Sequence, residues 1–78
     1  MSYGYSVRLI ESNRAADPKL LGVKLGRVCI KLCIPVSDVA STLGVSRQTV
    51  YNWFTGVNTP HNAVVGAVKD LIASFSQK

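Results

Sequence analysis

The sequence predicts a small all-α domain of about four helices, preceded by an N-terminal arm or short strand. Three observations carry that prediction. Apolar residues recur three and four positions apart in several segments after residue 17. Asp17-Pro18 and Thr59-Pro60 each pair a capping side chain with a first-turn proline, the usual signature of a helix start. Gly44 and Gly56 follow short helical stretches, where glycine tolerates the left-handed backbone that ends a helix.

Residues 1–16, MSYGYSVRLIESNRAA, show no helical period and are assigned as the arm or strand. Within them Tyr5, Val7 and Leu9 alternate with Ser6, Arg8 and Ile10, a strand-like pattern. Such a segment suits a free arm, an edge strand pairing across a dimer, or a basic arm lying on a polyanion. Residues 17–78 form the folded domain. Its first helix starts at Asp17-Pro18, carries a core stripe of Leu21, Leu25, Val28 and Leu32, and ends near Cys33 or Ile34 ahead of Pro35. Lys24, Arg27 and Lys31 share another side of it. The second helix runs from about Val36 to Leu43 with Val39, Ala40 and Leu43 inward, and Gly44 stops it. Ser46 caps a third, roughly Arg47 to Thr55, closed by Gly56. The last opens at Thr59-Pro60 and runs to about Ser76, with Val64, Val68, Leu71 and Phe75 on one face and Val65 and Ile72 beside it.

The 78-residue length suits a single domain. A domain this small buries a modest fraction of its surface, and a hydrophobic content of 47% mildly favours a core shared with a partner subunit. Nine Lys and Arg against four Asp and Glu give a net charge of +5, a balance common in proteins that meet nucleic acid. Cys29 and Cys33 stand one helical turn apart, about 5–6 Å at Cβ, too far for a comfortable disulfide. With His61 they make three soft ligands at irregular spacing, so no metal site is expected. No apolar run is long enough for a membrane span and no signal-peptide pattern opens the chain, so a soluble, cytoplasmic protein is expected.

Gly44-Val45-Ser46 joins two short helices, and a turn of that length with glycine sets them at a steep angle. Ala40 supplies the small residue at the crossing, and Val39, Leu43, Val45, Val50 and Trp53 supply its apolar plugs. On the third helix Val50, Trp53 and Phe54 hold one side to the core. Gln48 and Asn52 centre the opposite side, flanked by Thr49, Tyr51 and Thr55, with Arg47 at its start. An ordinary exposed helix face is rich in Lys and Glu. This one carries side chains that make directional hydrogen bonds, of the kind that suits base edges. Arg pairs with guanine O6 and N7, and Gln or Asn with adenine N6 and N7, each pair giving about 1–3 kcal/mol of discrimination.

The segment VSDVASTLGVSRQTVYNWFTGVNTP, residues 36–60, resembles the helix-turn-helix of the phage Cro and lambda-repressor-like family. Ala40, Gly44, the apolar positions Val39, Leu43, Val45, Val50 and Trp53, and the closing WFTGVN carry the likeness, with the motif proper over residues 36–55. The resemblance implies a DNA-binding transcriptional regulator of phage or bacterial origin, whose third helix enters the major groove. Ser46, Arg47, Gln48 and Asn52 match the family's base-reading places, with Thr49 and Tyr51 beside them. The loop after that helix, through Thr55, Asn58, Thr59 and His61, is placed to meet the backbone. Lys24, Arg27, Lys31, Arg8 and Arg14 are secondary candidates for phosphate. This chain departs from the pattern at Pro35, where relatives commonly have a Ser or Thr cap, and at Val36, where a Gln often braces the recognition helix.

The function expected is therefore a sequence-specific regulator of double-stranded DNA, Cro-like, binding a near-palindromic operator as a homodimer. The alternative is an antitoxin-like or host-directed protein-interaction module, in which Tyr51, Val65 and Ile72 meet a protein. An enzyme is not expected: one histidine and four scattered acids provide no nucleophile–base pair, and no motif calls for a cofactor or small-molecule substrate.

Overall fold

Two glycines four residues apart decide how the helices meet. The computed structural model describes residues 6–76 and contains five helices: α1 Val7–Ala15, α2 Leu21–Leu32, α3 Val36–Leu43, α4 Arg47–Phe54 and α5 Asn62–Ser76. Along α2 the buried positions are Gly22, Val23, Leu25, Gly26 and Cys29. A Cβ added at Gly22 would lie 2.6 Å from Trp53 Cβ and 2.8 Å from the Trp53 carbonyl oxygen. One added at Gly26 would lie 2.6 Å from Asn13 Nδ2 and 2.8 Å from Phe54 Cγ. The missing side chains let α4 press its Trp53 and Phe54, both fully buried, directly onto the α2 backbone.

This seam corrects the expected core stripe. Leu25 is buried as predicted, but Val28 is half-buried and Leu32 is 41% exposed. An apolar count gives glycine no weight, so it turned the stripe away from the face that α4 occupies.

The N-terminal segment is also corrected. Residues 7–15 form a helix, not an arm or strand, bringing the total among the described residues to five helices; the part of that expectation on residues 1–5 lies outside them. Ser6 caps α1, its Oγ accepting from the Leu9 N–H at 3.1 Å. The inward face of α1 is Leu9, Ile10 and Asn13, whereas Val7 is 71% exposed. The helical period was hidden because its deepest residue is polar. Asn13 is 3% exposed and donates from Nδ2 to the Phe54 carbonyl at 2.6 Å and to the Val23 carbonyl at 3.3 Å. The Phe54 carbonyl belongs to the last turn of α4, where helical carbonyls have no partner within their own helix. One amide thus ties α1, α2 and α4 together, and residues 7–15 belong to the folded domain.

Two helix starts are later than expected. Asp17-Pro18 makes a turn, with Asp17 Oδ1 accepting from the Lys19 N–H at 2.9 Å, and α2 begins at Leu21. Thr59-Pro60 precedes a further turn through His61, whose carbonyl accepts from the Val64 N–H at 2.9 Å, so α5 begins at Asn62.

The ends of α2, α3 and α4 share one closure, in which the N–H just past a left-handed residue returns to the carbonyl five residues back. Ile34 N–H donates to the Cys29 carbonyl at 2.9 Å, Val45 to Ala40 at 3.0 Å, and Val57 to Asn52 at 2.9 Å. The pivot residue is left-handed each time: Gly44 at φ 68° and Gly56 at φ 79°, but Cys33 at φ 57° after α2. Pro35 follows at once and begins α3 with its carbonyl alone, no side chain capping that end. Last in the chain, α5 packs across α2 and α3 with Val68 fully buried.

Replacing Gly26 with Ala is expected to destabilise the fold by about 1–3 kcal/mol through overpacking. Gly66 faces open space within α5, so Gly66→Ala should stabilise by about 0.5–1 kcal/mol. Urea unfolding of both variants checks the contrast, and equal effects would remove the seam as the cause.

Burial pushes the Cys29 thiol up from its ordinary 9.0 to about 12. The unfolded thiol ionises near the lower value while the folded one keeps its proton. Stability from this source is therefore complete below pH 9.0 and falls as pH rises toward about 12. Unfolding curves at about pH 8 and about pH 10.5 should show a smaller decline for Cys29→Ala than for the native chain.

Candidate nucleic-acid interface

The turn Gly44-Val45-Ser46 delivers α4 with a side-chain cap at its start. Ser46 Oγ accepts from the Thr49 N–H at 3.2 Å and lies 2.9 Å from Thr49 Oγ1. Val39 and Ala40 of α3 are buried beneath the crossing, and Leu43 and Val45 pack against the same core. Val50, Trp53 and Phe54 turn inward. By helical geometry Gln48 and Asn52 must then turn outward, and they do: Ser46, Arg47 and Gln48 are exposed, and Thr49, Tyr51, Asn52 and Thr55 are half-buried.

Within that face Gln48 Nε2 donates to Asn52 Oδ1 at 3.1 Å. The bond uses one Gln48 N–H and leaves an acceptor, the carbonyl oxygen, and a second N–H donor on the same amide. An acceptor beside a donor is the pattern that adenine N6 and N7 require in the major groove. Thr55 Oγ1 donates to the Tyr51 carbonyl at 2.9 Å, so its hydroxyl retains only lone pairs to offer a ligand. That makes Thr55 a poorer partner for phosphate than its position in the sequence implied.

The structure adds α1 to this face. A cleft of about 420 Å³ runs between α1 and α4, with Ser6, Arg8 and Ser12 on one wall and Gln48, Tyr51 and Asn52 on the other. Ser6 and Ser12 were missed because residues 1–16 carried no helical signal. Ser6 was the available clue, a capping side chain placed just ahead of nine helical residues. Arg8, expected to act from an arm, instead stands on a folded wall beside the Gln48–Asn52 pair.

The other secondary cations are placed elsewhere. Lys24, Arg27 and Lys31 are exposed on the side of α2 away from Gly22 and Gly26, and so away from α4. Arg27 donates to the Arg14 carbonyl at 3.1 Å, satisfying the last turn of α1, and with Arg14 and Lys31 it borders a separate groove. Asn58, Thr59 and His61 are exposed in the connection from α4 to α5. No acidic residue occurs between Asp38 and Asp70, so α4 and both of its flanking loops carry no negative side chain. Tyr51 and Ile72 pack against the core, and Val65 is half-buried.

No helix among the described residues is long and apolar enough to cross a membrane. Comparison with protein-family models, curated proteins and solved structures finds no match to this chain.

Ser46→Ala should cost about 0.5–2 kcal/mol and loosen the first turn of α4. Hydrogen exchange at the Thr49 amide is the specific readout. An unchanged rate there would mean that Ser46 is not what secures the start of the helix.

Proposed function

We propose that this protein is a sequence-specific regulator of double-stranded DNA, with α4 as its major-groove helix and a mode of action like that of Cro. The observation that supports this reading best is the outer face of α4. Arg47, Gln48 and Asn52 stand outward on a helix whose other side is fixed by Val50, Trp53 and Phe54. The major groove, about 12 Å wide, admits one such helix. Arg47 at its start reads guanine; the Gln48 amide, oriented by Asn52, reads adenine; Ser46 and Thr49 approach the groove edge. Arg8 on the neighbouring wall meets the sugar–phosphate backbone.

A homodimer on a near-palindromic operator sets two copies of α4 in successive major grooves, roughly 34–36 Å apart. Occupying promoter DNA in this way represses transcription from it. The acid-free stretch around α4 and the net charge of +5 favour approach to a polyanion and make the binding salt-sensitive.

Selection from random duplex DNA at roughly 0.15 M salt tests the reading. The expected outcome is one enriched motif arranged as inverted half-sites. Arg47→Ala should lose about 1–3 kcal/mol of preference at one base pair and bind random DNA almost as before. Arg8→Ala should weaken operator and random DNA alike and lower the salt slope by about 1. If nothing is enriched, the DNA reading is wrong and a protein partner takes its place.

A further inference from the structure

A second concave surface lies where α2, α3 and α5 converge, and it shares no residue with the outer face of α4. Leu32 is 41% exposed, unusually open for a leucine beside the core, and Phe75 of α5 is half-buried near it. The two residues line a hollow on either side of themselves. The larger, about 430 Å³, is completed by Ile34, Val39 and Leu71, and the smaller, about 280 Å³, by Val28. Leu32 and Phe75 thus stand as an apolar ridge between the two, the larger mainly apolar and the smaller of mixed lining with Lys31 and Ser76. The borders differ in charge: Asp38 edges the larger hollow and Lys31 the smaller.

We propose that this face receives a second copy of the chain across a two-fold axis. Self-association of that kind requires a surface complementary to itself. A ridge beside a hollow meets the requirement in shape, because rotation by half a turn sets the ridge of each copy into the larger hollow of the other. Opposite charges on either side of the ridge meet it electrostatically. The same rotation reverses their order, so Lys31 faces Asp38 of the partner subunit, and the pair forms twice. A chain of 78 residues with 47% hydrophobic content gains from covering this surface, since a core so small buries little of its own area. The outer face of α4 and the cleft beside Arg8 remain open in such a dimer.

The inference supplies the dimer surface for the DNA reading above and rests on that reading for its consequence on operators. The association itself is measured without DNA. Sedimentation equilibrium of the full chain over roughly 1–100 μM should show a reversible dimer. Leu32→Asp should raise the dissociation constant at least about tenfold, as expected for a central contact. Leu32 is already well exposed, and circular dichroism is the check that the variant is folded. Lys31→Glu and Asp38→Lys should each weaken the dimer by opposing like charges, and the double variant should recover most of the loss. A native chain that stays monomeric throughout that range overturns the proposal, as does a dimer indifferent to Leu32→Asp.

On DNA, Leu32→Asp should keep its preference for a single half-site and lose the gain from paired half-sites. Absence of half-site preference in both native chain and variant, with dimerisation intact, would count against the DNA reading alone.

Discussion

The architecture depends on an approach between α2 and α4 so close that neither Gly22 nor Gly26 has room for a Cβ. At that separation the side chains of Trp53 and Phe54 cover backbone directly, and each large ring removes apolar area from water without a mutual gap. The same seam fixes the rotation of α4 about its own axis. Val50, Trp53 and Phe54 must face inward, so Gln48 and Asn52, half a turn around, have no alternative to the outside. The outward placement of Gln48 and Asn52 is thus set by two residues that have no side chains of their own.

Close packing alone would leave a polar fault. The Phe54 carbonyl at the end of α4 meets Asn13 of α1, and a buried carbonyl without a donor costs about 1–3 kcal/mol. Asn13 resolves this as few residues can. Leucine would fill the space but donate nothing, and aspartate would set a carboxylate against two carbonyl oxygens. The carboxamide donates to Phe54 and to Val23 from one nitrogen, with its body packed over Gly26. Helix α1 is held by this polar contact as well as by Leu9 and Ile10, and its other edge reaches the α4 face through Arg8 and Ser12.

How much of this the sequence disclosed follows from what each element uses to define itself. The α3–turn–α4 unit was legible nearly to the residue, because its limits are set by local chemistry: Gly44 in a left-handed conformation, Ser46 on the Thr49 amide, Gly56 beyond Thr55. The outward placement of Arg47, Gln48 and Asn52 was legible for the same reason, since periodicity from three buried residues determines it. Helix α1 was not, because its anchor is an asparagine whose partners lie 10 and 41 residues away. Nor was the true face of α2, where close approach depends on atoms that are missing. The proline signals at Asp17-Pro18 and Thr59-Pro60 were genuine turns read as helix starts, since a cap followed by proline serves both. Likewise, a stripe of Lys24, Arg27 and Lys31 says nothing in one dimension about which helix lies behind it.

The short length of α4 bears on why the proposed DNA reading calls for two copies. Eight residues present at most two or three readers to one groove. At about 1–3 kcal/mol for each good bidentate pair, two readers discriminate by about 2–6 kcal/mol and three by about 3–9 kcal/mol. Separating one operator from about 10⁶ competing sites requires about 8 kcal/mol, at 1.4 kcal/mol per factor of ten. A monomer with two readers falls short on the proposed reading, and two copies on inverted half-sites bring the requirement within range. Preorganisation also helps, because Asn52 holds the Gln48 amide in place and less rotamer freedom is lost on contact. On the proposed reading a reader this small gains from a partner, and the proposed dimer through the Leu32–Phe75 ridge leaves the outer face of each α4 open.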